Sequence, residues 1–177
     1  GTGHAALPDP RAVDKSVPEY KNPFHPSTYA HFVARKDYRK TYDVYKDDTL
    51  LNRQPKKSRK IFVCLDEQRG QYLVDGLVAM DFPLSSGVKA YPTKTGDYAV
   101  ISKKEDHAST LYGKMYDAEG KSINYNAEST DPVPEGGRFD GSPMPYWQRL
   151  TNAGLGLHVG KVRRHPVSHG CVRLPRN

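Results

Sequence analysis

The sequence has only two cysteines, Cys64 and Cys171, too few for a disulfide framework. It has no run of about 18 apolar residues, so no segment is expected to cross a membrane as a helix. Residues 1–10 lack a charged start followed by an apolar stretch, which excludes a signal peptide there. Apolar residues make up 36% of the chain, below the usual share for a globular domain. Acidic residues are also short: 20 Asp and Glu stand against 27 Lys and Arg, a net charge of +7. A basic balance favours anionic partners or simply solubility. The densest basic clusters are Lys56, Lys57, Arg59 and Lys60, and Lys161, Arg163 and Arg164. Neither is interleaved with the aromatics that single-strand binders stack on, so no nucleic-acid partner is expected.

What the chain does have is unevenly spread. Residues 1–26 hold five prolines, a density that blocks both helix and sheet. They read as an extended arm. Ser27 is placed to cap a short helix over Tyr29–Lys36, with Tyr29, Phe32 and Val33 on one face. The pattern from Tyr38 to Leu51 fits helix and strand equally, and Asn52–Arg59 is polar, as a linker would be. The expected organisation is an arm and linker over 1–59 and a domain over 60–177.

That domain opens with short strands. Ile61–Leu65, Gln71–Val74, Leu77–Leu84 and Asp97–Lys103 read as strands, with Asp75-Gly76 as a hairpin turn between the second and third. Met144–Leu150 and Gly154–Val159 read as two more. Strands at this spacing argue for a mainly β fold, a sandwich or barrel. Glu105–Gly141 is long, polar and punctuated by glycine, and reads as a loop. Its Tyr112, Tyr116 and Tyr125 could line a groove, and it is expected to act as a wall or lid.

The two cysteines differ in setting. Cys64 sits in an apolar strand pattern and reads as a small core residue. Cys171 lies in Ser168-His169-Gly170-Cys171-Val172-Arg173-Leu174, after Leu157-His158-Val159. A thiol becomes a useful nucleophile at neutral pH when an imidazole takes its proton. Gly170 permits a turn that can aim successive N–H groups at an oxyanion. Two other readings stay open on these residues alone: zinc ligation by Cys171 with His158 and His165, and a buried cysteine with incidental histidines.

Ser168-His169-Gly170-Cys171 followed by Val172-Arg173-Leu174 resembles the signature of the L,D-transpeptidase catalytic domain, also called the YkuD domain. Four further blocks fall in the order of that family. Ile61 to Arg69 looks like its opening strand and turn. Ser85-Ser86-Gly87 with Tyr91-Pro92-Thr93-Lys94-Thr95-Gly96-Asp97-Tyr98 looks like its Gly … Thr-Pro-Thr-Gly-x-Phe segment. Met144-Pro145-Tyr146-Trp147 and Gly156-Leu157-His158 complete the set. The resemblance covers about residues 60–174.

It implies an L,D-transpeptidase-type β-sandwich with short helices and a long insertion loop. It implies Cys171 as nucleophile and His158 as general base, oriented by the Val159 carbonyl. His169 would line the site and Ser168 would hold the loop. The N–H groups of Gly170 and Cys171 would bind the oxyanion, and Arg173 would face substrate carboxylates. Tyr91, Tyr146 and Trp147 would contribute to the groove. The implied substrates are peptidoglycan stem peptides, with a second stem or a lipoprotein as acceptor and no metal or organic cofactor. An exported protein of the periplasm or cell envelope is implied, with its export address upstream of Gly1. The alternatives are an L,D-carboxypeptidase, another hydrolytic cysteine peptidase and a non-catalytic wall-binding module. Two departures stand out. The stretch from His158 to Ser168 is shorter than the family usually has. Only residues 172–177 follow Cys171, where the family continues with a helix and a closing strand, so a truncated C-terminal end is expected.

Overall fold

A computed structural model describes residues 25–176. All of the proline-rich arm but its last two residues lies outside this range. The described chain is mainly β, with two short helices and eleven strands, as the strand spacing and the resemblance implied. It forms two compact units. One holds the described residues up to Ser86 together with Val162–Val167; the other holds Gly87–Lys161 and Ser168–Arg176.

In the first unit, helix α1 spans Tyr29–Val33. Its cap is Thr28 rather than the expected Ser27: the Thr28 hydroxyl accepts the His31 N–H at 3.2 Å, which satisfies one of the free N–H groups of the first turn. The ambiguous stretch that follows gives β1 (Tyr45–Lys46) and α2 (Asp48–Leu51). Strands β2 (Arg59–Cys64), β3 (Arg69–Val74) and β4 (Leu77–Pro83) complete an antiparallel sheet in the order β1-β4-β3-β2. The expected hairpin turn is present: Asp75 and Gly76 both take positive φ, 51° and 83°, as a tight two-residue turn requires. Asp75 also accepts three backbone N–H groups, from Lys56, Lys57 and Ser58. Those bonds hold its carboxyl down at about 2.

Residues before the expected boundary at 59 and 60 make contacts with the strands after it. β1 pairs with β4 through Tyr45 and Asp81 and through Lys46 and Met80. Tyr29 and Tyr38 donate their hydroxyls to Asp81 at 2.5 and 2.7 Å. Leu50 packs with Val74 and Ala79 in the core. Within residues 25–59, Tyr45, Lys46 and Arg59 lie in the sheet itself, and Tyr29, Tyr38 and Leu50 contact it through side chains. Cys64 is also not a core residue: β2 is an edge strand, and Cys64 is half-buried on it.

The second unit has two sheets. One has the order β11-β10-β9-β5, with β5 at Ser102–Lys104, β9 at Trp147–Arg149, β10 at Gly156–Val159 and β11 at Val172–Leu174. The other, β7-β6-β8, is built from Ala108–Tyr116, Ser122–Glu128 and Arg138–Pro143. It occupies the stretch expected to be a loop. Its strands are exposed on both faces for much of their length, and register shifts flank Met115. Apolar and polar residues therefore do not alternate along it, and the usual strand signal is missing.

Candidate active site

The register of the β11-β10-β9-β5 sheet sorts its residues onto two faces, because directly opposed residues share a face and neighbours along a strand do not. Gly156 lies opposite Arg149, Ser102 opposite Arg149, and Lys104 opposite Trp147. His158 lies beside Arg173. One face thus presents Ser102, Lys104, Trp147, Arg149, Gly156, His158 and Arg173. The other presents Leu157 and Val172, which are buried.

Gly156 is fixed by packing. A Cβ there would stand 2.4 Å from the Trp147 indole and 2.6 Å from the Gln148 carbonyl oxygen, too close for any side chain. The indole fills that space, 3% exposed. Its ring lies 6.5 Å from that of His158, and His107 stacks on it at 4.8 Å and 18°.

His158 is buried, and its Nδ1 lies 3.0 Å from the Val159 carbonyl oxygen. A carbonyl can only accept, so Nδ1 carries the proton and Nε2 keeps its lone pair. Burial pushes the imidazole below its ordinary value of 6.5. The Val159 carbonyl opposes that shift, and Arg173 and His107 add to it. Cys171 is half-buried, and its thiol donates to the Gly154 carbonyl at 3.3 Å. Burial pushes the thiol up, while the Gly156 N–H and the positive charge of Arg149 pull it down. Both shifts favour a resting pair of neutral thiol and neutral imidazole.

The loop carrying Cys171 is pinned at several points. The Ser168 hydroxyl donates to the Cys171 carbonyl and accepts the Gly170 N–H at 3.2 Å. The Ser168 carbonyl accepts the Val88 N–H at 2.9 Å. Thr93 accepts the Gly87 N–H at 2.9 Å and donates to the Gly170 carbonyl. Gly170 has φ of +124°, which only glycine adopts readily. The Gly170 N–H, expected to face an oxyanion, donates in this geometry to the Ser168 hydroxyl.

His169 is exposed and stacks on Tyr112 at 4.1 Å and 12°. Tyr91 completes the cluster, with its ring 4.8 Å from that of His169. Of the three insertion tyrosines, Tyr112 alone joins this cluster. Tyr116 lies under Arg138 and Tyr125 under Lys114. Tyr146 is 51% exposed with φ of 55° and takes no part in the ring contacts around Trp147 and His169 among the described residues. Arg149 and His107 were not singled out in the sequence, where each is an isolated polar residue, and Thr93 was quoted only as part of the Tyr91–Tyr98 block, with no role of its own. Arg149 had one signal: two residues after Trp147 in a strand, it must share that face. Among the described residues no group of three His, Cys, Asp or Glu gathers as a metal site, and His165 is exposed with Nδ1 3.2 Å from the Pro166 carbonyl oxygen.

Residues 58–177 match the family model of the L,D-transpeptidase catalytic domain, YkuD. The match takes in more than half of the chain, and the chain belongs to this family. Similar solved structures include an Enterococcus faecium L,D-transpeptidase at 26% identity, covering 67% of this chain and 42% of that one, with a TM-score of 0.46. A Stackebrandtia nassauensis L,D-transpeptidase is 22% identical, covering 83% of this chain and 54% of that one, with a TM-score of 0.46. One from Mycobacterium smegmatis is 22% identical, covering 63% and 46%, also with a TM-score of 0.46. The chain thus spans about half the length of these relatives or less. No curated protein matches it. Among the described residues no helix is long and apolar enough to cross a membrane.

Proposed function

We propose that the chain carries out cysteine-dependent acyl transfer on peptidoglycan stem peptides. What supports this reading is that, within the matched family domain, the pinned Cys171 loop leads into β11, which pairs with the β10 strand bearing His158, whose Nδ1 lies at the Val159 carbonyl. Nε2 takes the thiol proton as sulfur attacks the carbonyl carbon of the diamino acid at stem position three. The Cys171 N–H is the backbone donor left to meet the oxyanion. The C–N bond to the terminal D-Ala breaks, and the imidazolium returns its proton to the leaving amine. A thioester remains. The amine of a second stem, or of a lipoprotein, gives its proton to Nε2 and attacks the thioester, which frees the thiol.

Trp147, Tyr91 and Tyr112 line the approach to the thiol, and Tyr146 extends it. His169 holds the loop through its stack on Tyr112. Arg173, beside His158, faces the carboxylate of the leaving residue. Such a substrate lies outside the cytoplasmic membrane, so the enzyme works in the periplasm or cell envelope. The test supplies a defined tetrapeptide with an amine acceptor. Released D-Ala matched by crosslinked product is the expected result. D-Ala release with no crosslink at saturating amine would make the enzyme a carboxypeptidase. No release at all would reject the reading.

A further inference from the structure

Resting on that reading, we propose that Arg149 binds a carboxylate on the acyl side of the scissile amide, so the preferred donor carries a diamino acid with a second carboxylate at stem position three. The register places the two arginines of this face differently. Leu157 pairs with Val172, so one step back Cys171 stands beside Gly156, and Gly156 stands opposite Arg149. One step forward, His158 stands beside Arg173. Arg149 thus shares a row with the nucleophile, and Arg173 shares a row with the base.

In the proposed reaction the acyl carbon bonds to Cys171 and the leaving amine takes its proton from His158. The row of Arg149 therefore serves the acyl residue, and the row of Arg173 the leaving residue. Gly156 has no side chain, so the Trp147 indole forms a floor between Cys171 and Arg149. Two strand spacings separate these residues, roughly 10 Å between backbones. That leaves room for a side chain bearing a carboxylate.

Arg149 is also available. It is half-buried and makes no ion pair with a described residue. Its guanidinium lies 5.4 Å over the Trp147 ring and donates one long bond, 3.4 Å, to the Thr151 carbonyl. Thr151 belongs to the same β9–β10 turn whose Gly154 carbonyl receives the Cys171 thiol. A guanidinium so held keeps donors for a planar carboxylate. Its charge already acts on Cys171.

The test uses three synthetic tetrapeptide donors. One has all carboxylates free. The second has the side-chain carboxylate of the third residue converted to a carboxamide, and the third has the terminal carboxylate so converted. Thioester formation is followed by intact mass on the parent, Arg149→Gln and Arg149→Lys. The parent should prefer the free donor over the acyl-side carboxamide by about tenfold or more, as a charge-assisted contact would give. In Arg149→Gln that ratio should fall to near one, and Arg149→Lys should restore part of it. The ratio for the terminal carboxamide should be the same in parent and Arg149→Gln. An acyl-side ratio unchanged by Arg149→Gln overturns the assignment, and so does a loss confined to the terminal-carboxylate ratio. If no donor acylates the parent, the acyl-transfer reading fails instead. Calorimetric titration of the same donors onto Cys171→Ser, with and without Arg149→Gln, then decides the subsite from the ratio of Kd values.

Discussion

Arg69 and Arg149 both sit on strands of antiparallel pairs with an aromatic ring beneath the guanidinium, and there the likeness ends. Arg69 is fully buried, 4.9 Å over Tyr38, with its Nε 2.7 Å from Asp81 and its other nitrogens 3.0 Å from the carbonyls of Thr41 and Asp43. Asp81 is buried as well and also accepts from Tyr29, Tyr38 and Gln71. Around Cys171 the guanidinium of Arg149 acts on the thiol and that of Arg173 on His158. A buried charge with every partner in place is a structural device, because leaving either half alone is costly. Arg149, half-buried and in no ion pair with a described residue, is instead available to an anion that approaches from outside.

The largest expected effect breaks the first network. Asp81→Ala strands a buried guanidinium and should cost about 3–5 kcal/mol of stability, read from urea unfolding. A loss below about 1 kcal/mol, the scale of a surface pair, would mean that Arg69 finds another partner.

Next comes the proposed base. His158→Ala should slow thioester formation by about a hundredfold or more without a matching loss of stability. The pH dependence sharpens this. The imidazole is pushed below 6.5 and becomes an effective base as it loses its proton, so the rising limb of the parent's rate should lie below pH 6.5. The thiol is pushed above its ordinary 9.0, so direct alkylation by iodoacetamide in His158→Ala should rise only beyond that pH. A rising limb above pH 7 in the parent would contradict the lowered imidazole.

The smallest effect concerns the insertion sheet. Excising residues 116–135 would remove β7 entirely, so a point change is the cleaner probe. An aromatic pair is worth about 0.5–1.5 kcal/mol, so Tyr112→Ala should slow acylation about two- to tenfold, and Tyr112→Phe should stay near the parent. Equal losses in both would place the effect in the hydroxyl rather than in the stack on His169.

The contrast between the two regions also explains what could be read in the sequence. The Cys171 loop was legible because its chemistry is local: Ser168, Gly170 and Cys171 hold one another within four residues. The Asp75-Gly76 turn was legible for the same reason. The Asp81 network was not, because its members come from 52, 43, 12 and 10 residues away. The one trace it left was a lone aspartate in the otherwise apolar stretch Leu77–Leu84. The insertion sheet was hidden by its two exposed faces and its register shifts. Arg149 and His107 reach the site through strand register and ring stacking, and neither leaves a motif.

The central claim is that Cys171 is the nucleophile and Cys64 is not. Intact-mass measurement after treatment with a carbapenem, which acylates a nucleophilic cysteine of this kind, tests it most directly. The parent and Cys64→Ala should each gain the mass of one drug molecule, and Cys171→Ala should gain none. Labelling of Cys171→Ala equal to that of the parent would contradict the account.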